Sequence, residues 1–238
     1  MMEFNVTKCN SMSITNKRTP IEFEYQLHGH TLEKVTSAKY LGIEITNNLK
    51  WNKHISHISA KANRTSSFIY RNLKGCSINT QTQCFKTFVR PLLEYASIVW
   101  DPHYKKDIDI LEKTQRRAAR RFVNDFSKST SASHLTQTLG LETLQTRRKR
   151  NKATTIFKIY HNKLAVKLPD SIRPSTRSTR GHNNKLIIPT TRTNSHMHSF
   201  FLSGVRLWND LPADATESGH LDTFERILSV VLTDKKRE

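Results

Sequence analysis

Residues 105–124 read KKDIDILEKTQRRAARRFVN. At about 100° per residue, Ile108, Leu111, Ala118, Ala119 and Phe122 share one face of a helix. Lys106, Lys113, Arg116, Arg117, Arg120 and Arg121 fall on the opposite side, within an arc of roughly 140°. The stretch therefore predicts a helix with one side in an apolar core and the other carrying a dense positive charge. Arg116, Arg117, Arg120 and Arg121 form an i, i+1, i+4, i+5 array, a spacing that can follow a phosphate backbone.

The same period extends on both sides. Upstream, Ile55, Ile58, Ala62, Ile69 and Leu73 form an apolar stripe opposite Lys53, His57, Lys61, Arg64, Arg71 and Lys74, and Gly75 supplies a helix stop. A second helix, capped by Ser77 or Asn79, carries Phe85, Phe88, Val89, Leu92, Leu93, Ala96 and Val99, with Pro91 set to kink it. Downstream, helices are expected near 131–139 and over 143–161. The latter holds Arg147, Arg148, Lys149 and Arg150, a run that wraps around a helix and cannot all face one ligand.

The ends of the chain read differently. Residues 1–50 carry short alternating pieces at 4–6, 12–14, 21–25 and 40–45, separated by turns at Asn16–Pro20 and His28–His30. From Pro169 to Ser199 the chain is rich in Ser, Thr, Arg, Asn and Pro, which predicts an extended linker with one strand at Leu186–Ile188. Beyond it come an apolar knot around Phe200, Val205 and Trp208 and an amphipathic helix over 221–232. The expected fold is α+β and mostly helical. Its parts are a β-rich 1–50, a basic helical 51–168, a linker 169–199 and a C-terminal tail 200–238.

Composition narrows the function. The chain has 238 residues and 39 Lys+Arg against 20 Asp+Glu, a net charge of +19, with 36% hydrophobic residues. Its pI is near 10.1, the electrostatic footprint of a polyanion binder. No stretch approaches the roughly 18 apolar residues of a membrane span, and residues 1–10 hold no apolar secretory segment. Three widely spaced cysteines (Cys9, Cys76, Cys84) suit a reducing compartment and lack zinc-site spacing. An intracellular protein, in cytoplasm or nucleus, is the expectation. The histidine pairs 28/30, 54/57 and 196/198 have no cysteine or carboxylate partners nearby, so no metal site is expected.

Catalytic motifs are missing as well. The seven glycines form no phosphate loop. The one Asp-x-Asp, Asp107 and Asp109, sits on a helix where i and i+2 point about 200° apart, so both carboxylates cannot meet one ion. They read as negative charge in a helix first turn. No catalytic residue and no cofactor is expected. With no aromatics between the basic positions, phosphate contact rather than base stacking is the expected mode.

Several strings together carry a resemblance: Asn5–Cys9, Lys17–Ile21, Ala38–Ile43, Leu49–Ile55, Lys61–Arg64, Val89–Ser97, Val99–Pro102, Gln115–Arg120 and Arg206–Pro212. Over nearly its whole length the chain resembles the C-terminal part of a reverse transcriptase from non-LTR (LINE, jockey-like) retrotransposons. The resemblance implies the end of a polymerase palm, a thumb and a tail. Lys8 would fall in the last palm motif, as a lysine suited to protonating pyrophosphate. Tyr40, Leu41 and Gly42 would fall in a primer-grip hairpin, and the helices from Trp51 onward in a thumb that holds template–primer. The family's catalytic aspartates lie upstream of the matched strings, and Mg²⁺ would belong there.

The combined expectation is a truncated RNA-directed DNA polymerase that cannot polymerise alone. It would hold RNA or an RNA–DNA duplex by phosphate contacts from Lys61, Arg64, Arg71, Lys74, Lys113, Arg116, Arg117, Arg120, Arg121, Arg147 and Arg148, and would associate with an upstream catalytic portion. No membrane partner is expected. The alternatives are a domesticated, sequence-nonspecific RNA/DNA-binding protein and a basic module that docks an acidic protein.

Overall fold

Little of the N-terminal 50 residues is regular strand. The structure, a computed structural model, describes residues 4–15, 17–175 and 182–234. Asn16 of the expected 16–20 turn, and residues 176–181 of the expected linker, lie outside the described residues. The architecture is α+β and mostly helical. Two compact units make it up, residues 1–58 and 59–238.

In the first unit, Val6–Lys8 forms a 3₁₀ turn capped by Asn5, whose Oδ1 accepts from Thr7 N at 3.1 Å. Strand β1 (Asn10–Ser11) lies far along the chain from its mate. Strands β2 (Gln26–Leu27) and β3 (His30–Thr31) form a small antiparallel pair across the expected turn at His28–Gly29. Strand β4 (Glu33–Lys34) pairs parallel with β1. The expected strands at 12–14 and 21–25 do not form. Ile21, Phe23 and Tyr25 are exposed, because alternation supplies a strand face but not the neighbour that must bond and cover it.

The best-formed ladder is β5 (Ser37–Tyr40) against β6 (Ile43–Thr46). The stretch 40–45, expected as continuous strand, turns at Leu41 and Gly42, both with positive φ (46° and 84°). That is the backbone of a two-residue hairpin turn, where glycine is at ease and leucine is strained. The hairpin is tied to the start of helix α1 (Asn52–Asn72): Glu44 N donates to His54 Nδ1 at 3.3 Å, and Lys53 Nζ pairs with Glu44 Oε1 at 2.8 Å.

The second unit begins within α1, on which Ala62 and Ile69 are buried as the stripe predicts, while Lys61, Arg64 and Arg71 are exposed. The next expected helix is broken in three. Helix α2 (Ile78–Cys84) starts at Ser77, whose Oγ accepts from Thr80 N at 3.1 Å. A π turn follows at Phe85–Val89, then α3 (Arg90–Glu94), then α4 (Ser97–Trp100) after a left-handed Ala96. Pro91 has no N–H to continue the regular ladder, and the turn just before it widens so that Arg90 N bonds Phe85 O. The extra residue rotates the face at Phe88, and the left-handed Ala96 re-aims the segment that carries Val99. Phe85, Val89 and Leu93 become the buried line, and Phe88 and Val99, expected on the apolar face, are exposed.

Helix α5 (Lys105–Val123) buries Leu111, Ala118, Ala119 and Phe122 as expected, and also Thr114 and Gln115. Gln115 is held there by donating to Glu142 O at 2.9 Å. Helix α6 (Ala132–Thr138), capped by Ser131, packs beside α5. Helix α7 (Leu144–Tyr160), capped by Thr143, runs on as the axis of the C-terminal core.

That core corrects the expected linker and separate tail. After strand β7 (Arg173–Pro174), the chain returns as β8 (Leu186–Ile187) to pair with it, with Ile172 and Leu186 buried. Helices α8 (Asn194–Met197), α9 (Phe200–Asn209), α10 (Ala213–Thr216) and α11 (Leu221–Asp234) complete the unit. Ala153, Ile156, Phe157, Ile172, Leu186, Val205, Trp208, Phe224 and Leu228 form one cluster, so no independent core begins at 169 or 200. Phe157 stacks on Phe224 with ring centroids 4.4 Å apart. Gly204 lets α9 sit directly on α7, since a Cβ there would lie 2.7 Å from Ile156 Cγ1.

The strap before α9 is fastened by polar bonds that composition does not reveal. Asn209 Nδ2 donates to Leu186 O at 2.8 Å and its Oδ1 accepts from Leu186 N at 2.9 Å, as a strand neighbour would. Trp208 Nε1 donates to Asn184 O at 2.8 Å, and buried His182 Nε2 lies 3.1 Å from Trp208 O. Among the described residues, no helix is long and apolar enough to cross a membrane.

Candidate nucleic-acid interface

The basic positions of α1 and α5 separate into cations that face solvent and cations that hold the protein together. Lys61, Arg64, Arg71 and Lys74 are all exposed. Their spacing of i, i+3, i+10 and i+13 keeps them on one side of α1 and its end, along about 20 Å at 1.5 Å per residue. Ser67 and Phe68 occupy the gap in this row. Arg121 Nη1 donates to Ser67 Oγ at 2.8 Å, which fixes the end of α5 beside the α1 row.

On α5, Lys106, Lys113, Arg116, Arg117 and Arg120 line a shallow groove in which, among the described residues, Asp109 is the one acid. Lys113 and Arg117 are exposed. Arg116 Nη2 lies 3.7 Å from Asp109 Oδ1, and its Nε is buried without an acceptor among the described residues. Arg120 is turned inward: Nη1 donates to Ser127 O at 2.8 Å and to Asp125 O at 3.3 Å, and Nη2 to Thr130 O at 2.7 Å. It organises the loop after α5, and its remaining contribution to the groove is charge.

Arg147 and Arg148 are not free to serve as surface phosphate contacts. Arg147 Nε and Nη2 both bond the Glu94 carboxylate, the latter at 3.0 Å, and that bond holds the guanidinium pKa above its ordinary value. Burial, then the Arg147 charge, pushes neighbouring Arg90 down. Arg148 is 1% exposed, with Nε donating to Asp101 Oδ1 at 2.8 Å. Arg150 clasps Glu142 through Nη1 and Nη2, each at 2.7 Å. The run at 147–150 is an ion-pair ladder, buried at Arg148 and half-buried at Arg147 and Arg150, because Glu94, Asp101 and Glu142 converge on it, and Lys149 is its exposed member.

Sequence spacing had suggested no stacking surface. Phe68, 60% exposed, stands between Arg64 and Arg71 at i+4 and i+3. Phe126 is also exposed, and the carbonyls on either side of it both accept from Arg120. The signal for Phe68 was its place in the 61–74 stripe. For Phe126 no sequence signal exists, since the loop bonds that place it are tertiary.

Tyr40, Leu41 and Gly42 form the exposed tip of the β5–β6 hairpin in the first unit. Asp107 is buried while Asp109 is exposed and engaged with Arg116, so the two carboxylates do not converge on one ion. Among the described residues, no three His, Cys, Asp or Glu side chains are grouped to hold a metal, and the acids present do not fit the Mg²⁺ pair of a nucleotidyl transferase. Cys9, Cys76 and Cys84 are free thiols.

These features describe a surface suited to a polyanion: two rows of solvated cations, fixed to each other by Arg121, with little acid between them. Comparison of the chain with models of known protein families, with curated proteins and with solved structures found no match.

Proposed function

We propose that this chain holds RNA or an RNA–DNA duplex by its phosphates, as the thumb-like part of a non-LTR retrotransposon reverse transcriptase. The observation that carries the binding reading is the pair of cation rows. Lys61, Arg64, Arg71 and Lys74 line one, Lys113 and Arg117 the other, and none of the six is drawn into an ion pair among the described residues. Like charges this close repel one another, and a polyanion relieves that cost. The retroelement assignment rests on the sequence strings quoted above, and an intracellular location, where such nucleic acid is found, goes with it.

The proposed mechanism is positional. The cation rows contact successive phosphates and set no sequence preference. Phe68 adds a ring on which an unpaired base can stack, worth about 1–3 kcal/mol per base. The test is binding to a labelled RNA–DNA hybrid and to single-stranded RNA across a salt series. Binding should weaken steeply with salt, and Phe68→Ala should weaken single-strand binding more than hybrid binding. An affinity independent of salt contradicts the reading.

A further inference from the structure

Apart from the α5 groove, four segments of the second unit line a cavity of about 170 Å³, with α5 contributing Ile108. The turn after α4 contributes Asp101 and His103, α7 contributes Lys149 and Lys152, the turn between α8 and α9 contributes His198, and α9 contributes Ser203. At about 30 Å³ per water, that is room for one tetrahedral oxyanion with a few waters. The His103 and His198 rings are stacked, parallel within 2° and 3.9 Å apart at their centroids. Lys152 is buried, and its Nζ donates to Asp101 Oδ2 at 2.7 Å and Ser203 Oγ at 2.9 Å. The Ser203 hydroxyl itself donates to Ser199 O at 2.7 Å. An ammonium has three N–H groups, so one of Lys152 is left for a ligand.

The charge around the cavity is unbalanced. Asp101 is shared between Arg148 and Lys152, and Lys149 has no acidic partner among the described residues. The other acid close to His103 is Asp107, and the cations close to His198 are Arg206 and Lys152. Arg148, Lys149 and Lys152 thus outnumber Asp101 and Asp107. Burial is the first cause that lowers both imidazole pKa values below 6.5, and a bound anion opposes that shift.

We propose that this cavity binds a phosphate monoester, with Lys149 and Lys152 as the principal cations and the His103–His198 stack as a donor pair. A monoester dianion has oxygens enough for these donors, and its second pKa, about 6, lies close to those of imidazoles, so the proton can be shared between them. This site stands independently of the duplex-holding surface.

The test titrates inorganic phosphate into the full chain while the histidine side-chain resonances are followed. It is repeated with 5′-phosphorylated and 5′-hydroxyl trinucleotides. The His103 and His198 signals should move together. Lys149→Gln and His198→Gln, both at accessible positions, should each weaken binding about tenfold. Lys167→Gln, exposed and outside both the cavity and the cation rows, should leave it unchanged. A preference for the 5′-phosphorylated strand identifies a strand terminus as the source, and histidine shifts with inorganic phosphate but with neither trinucleotide identify free phosphate. No movement of either histidine, or a titration that Lys149→Gln and His198→Gln leave unaltered, overturns the proposal.

Discussion

Arg148 Nε donates to Asp101 Oδ1 at 2.8 Å inside the protein, while Lys152 Nζ holds the other oxygen of the same carboxylate at 2.7 Å. One acid therefore neutralises two cations, and the two Nη groups of Arg148 are buried without acceptors among the described residues. Asp101→Ala takes the carboxylate away from both cations and should cost about 3–5 kcal/mol. Arg148→Met leaves a balanced Asp101–Lys152 pair and should cost no more than about 1.5 kcal/mol. Urea unfolding of both variants checks the asymmetry, and equal losses would contradict it.

Two arginines three residues apart on α5 should behave oppositely. Arg120→Ala frees the carbonyls of Asp125, Ser127 and Thr130 and should destabilise the chain by about 1–3 kcal/mol. Arg117 is exposed, so Arg117→Ala should change stability by less than about 0.5 kcal/mol. It should instead lower the salt slope of nucleic-acid binding by about one phosphate. Melting curves and salt titrations of the two variants separate these roles.

Asn209 fastens the strap at 182–188 by satisfying both backbone groups of Leu186. Asn209→Leu should cost about 2 kcal/mol, since Leu186 is buried and its N–H and C=O lose their partners. Limited proteolysis should then cut within residues 182–193 faster than it does in the unsubstituted chain.

Acid should weaken the fold. His54, His103, His161 and His198 all have pKa values lowered from 6.5, with burial the largest cause in each. The unfolded chain therefore takes up protons first as pH falls through 6.5, and stability declines from there until the lowered folded values are passed. Above about pH 7.5 both states are neutral at these positions and stability should be flat. Urea midpoints across this range read the effect. A midpoint that rises on acidification would contradict it.

The helices were legible because burial on one face leaves a period of 3.6 that Leu111, Ala118 and Phe122 record directly. What was not legible depended on partners remote in sequence. Glu94, Asp101 and Glu142 turn Arg147, Arg148 and Arg150 from an apparent basic patch into internal ion pairs. Polar residues at 169–199 read as linker because hydrogen bonds such as Asn209 to Leu186 leave no trace in composition. The π turn before Pro91 shifts the apolar face at Phe88, and the left-handed Ala96 re-aims α4, so that Phe88 and Val99 are exposed. The alternation at 40–45 hides the Leu41–Gly42 turn, which the resemblance to a primer-grip hairpin implies, because leucine is a residue a left-handed turn disfavours; Leu41→Asn should relieve about 1 kcal/mol.

The most direct measurement of the central claim is the affinity of the full chain for an RNA–DNA hybrid as a function of salt. If Lys61, Arg64, Arg71, Lys74, Lys113 and Arg117 each meet a phosphate, the log–log slope should be about −5. Lys113→Glu with Arg117→Glu should flatten it while the melting temperature stays unchanged. A slope near zero, or one those two substitutions leave intact, would show that these cation rows do not hold nucleic acid.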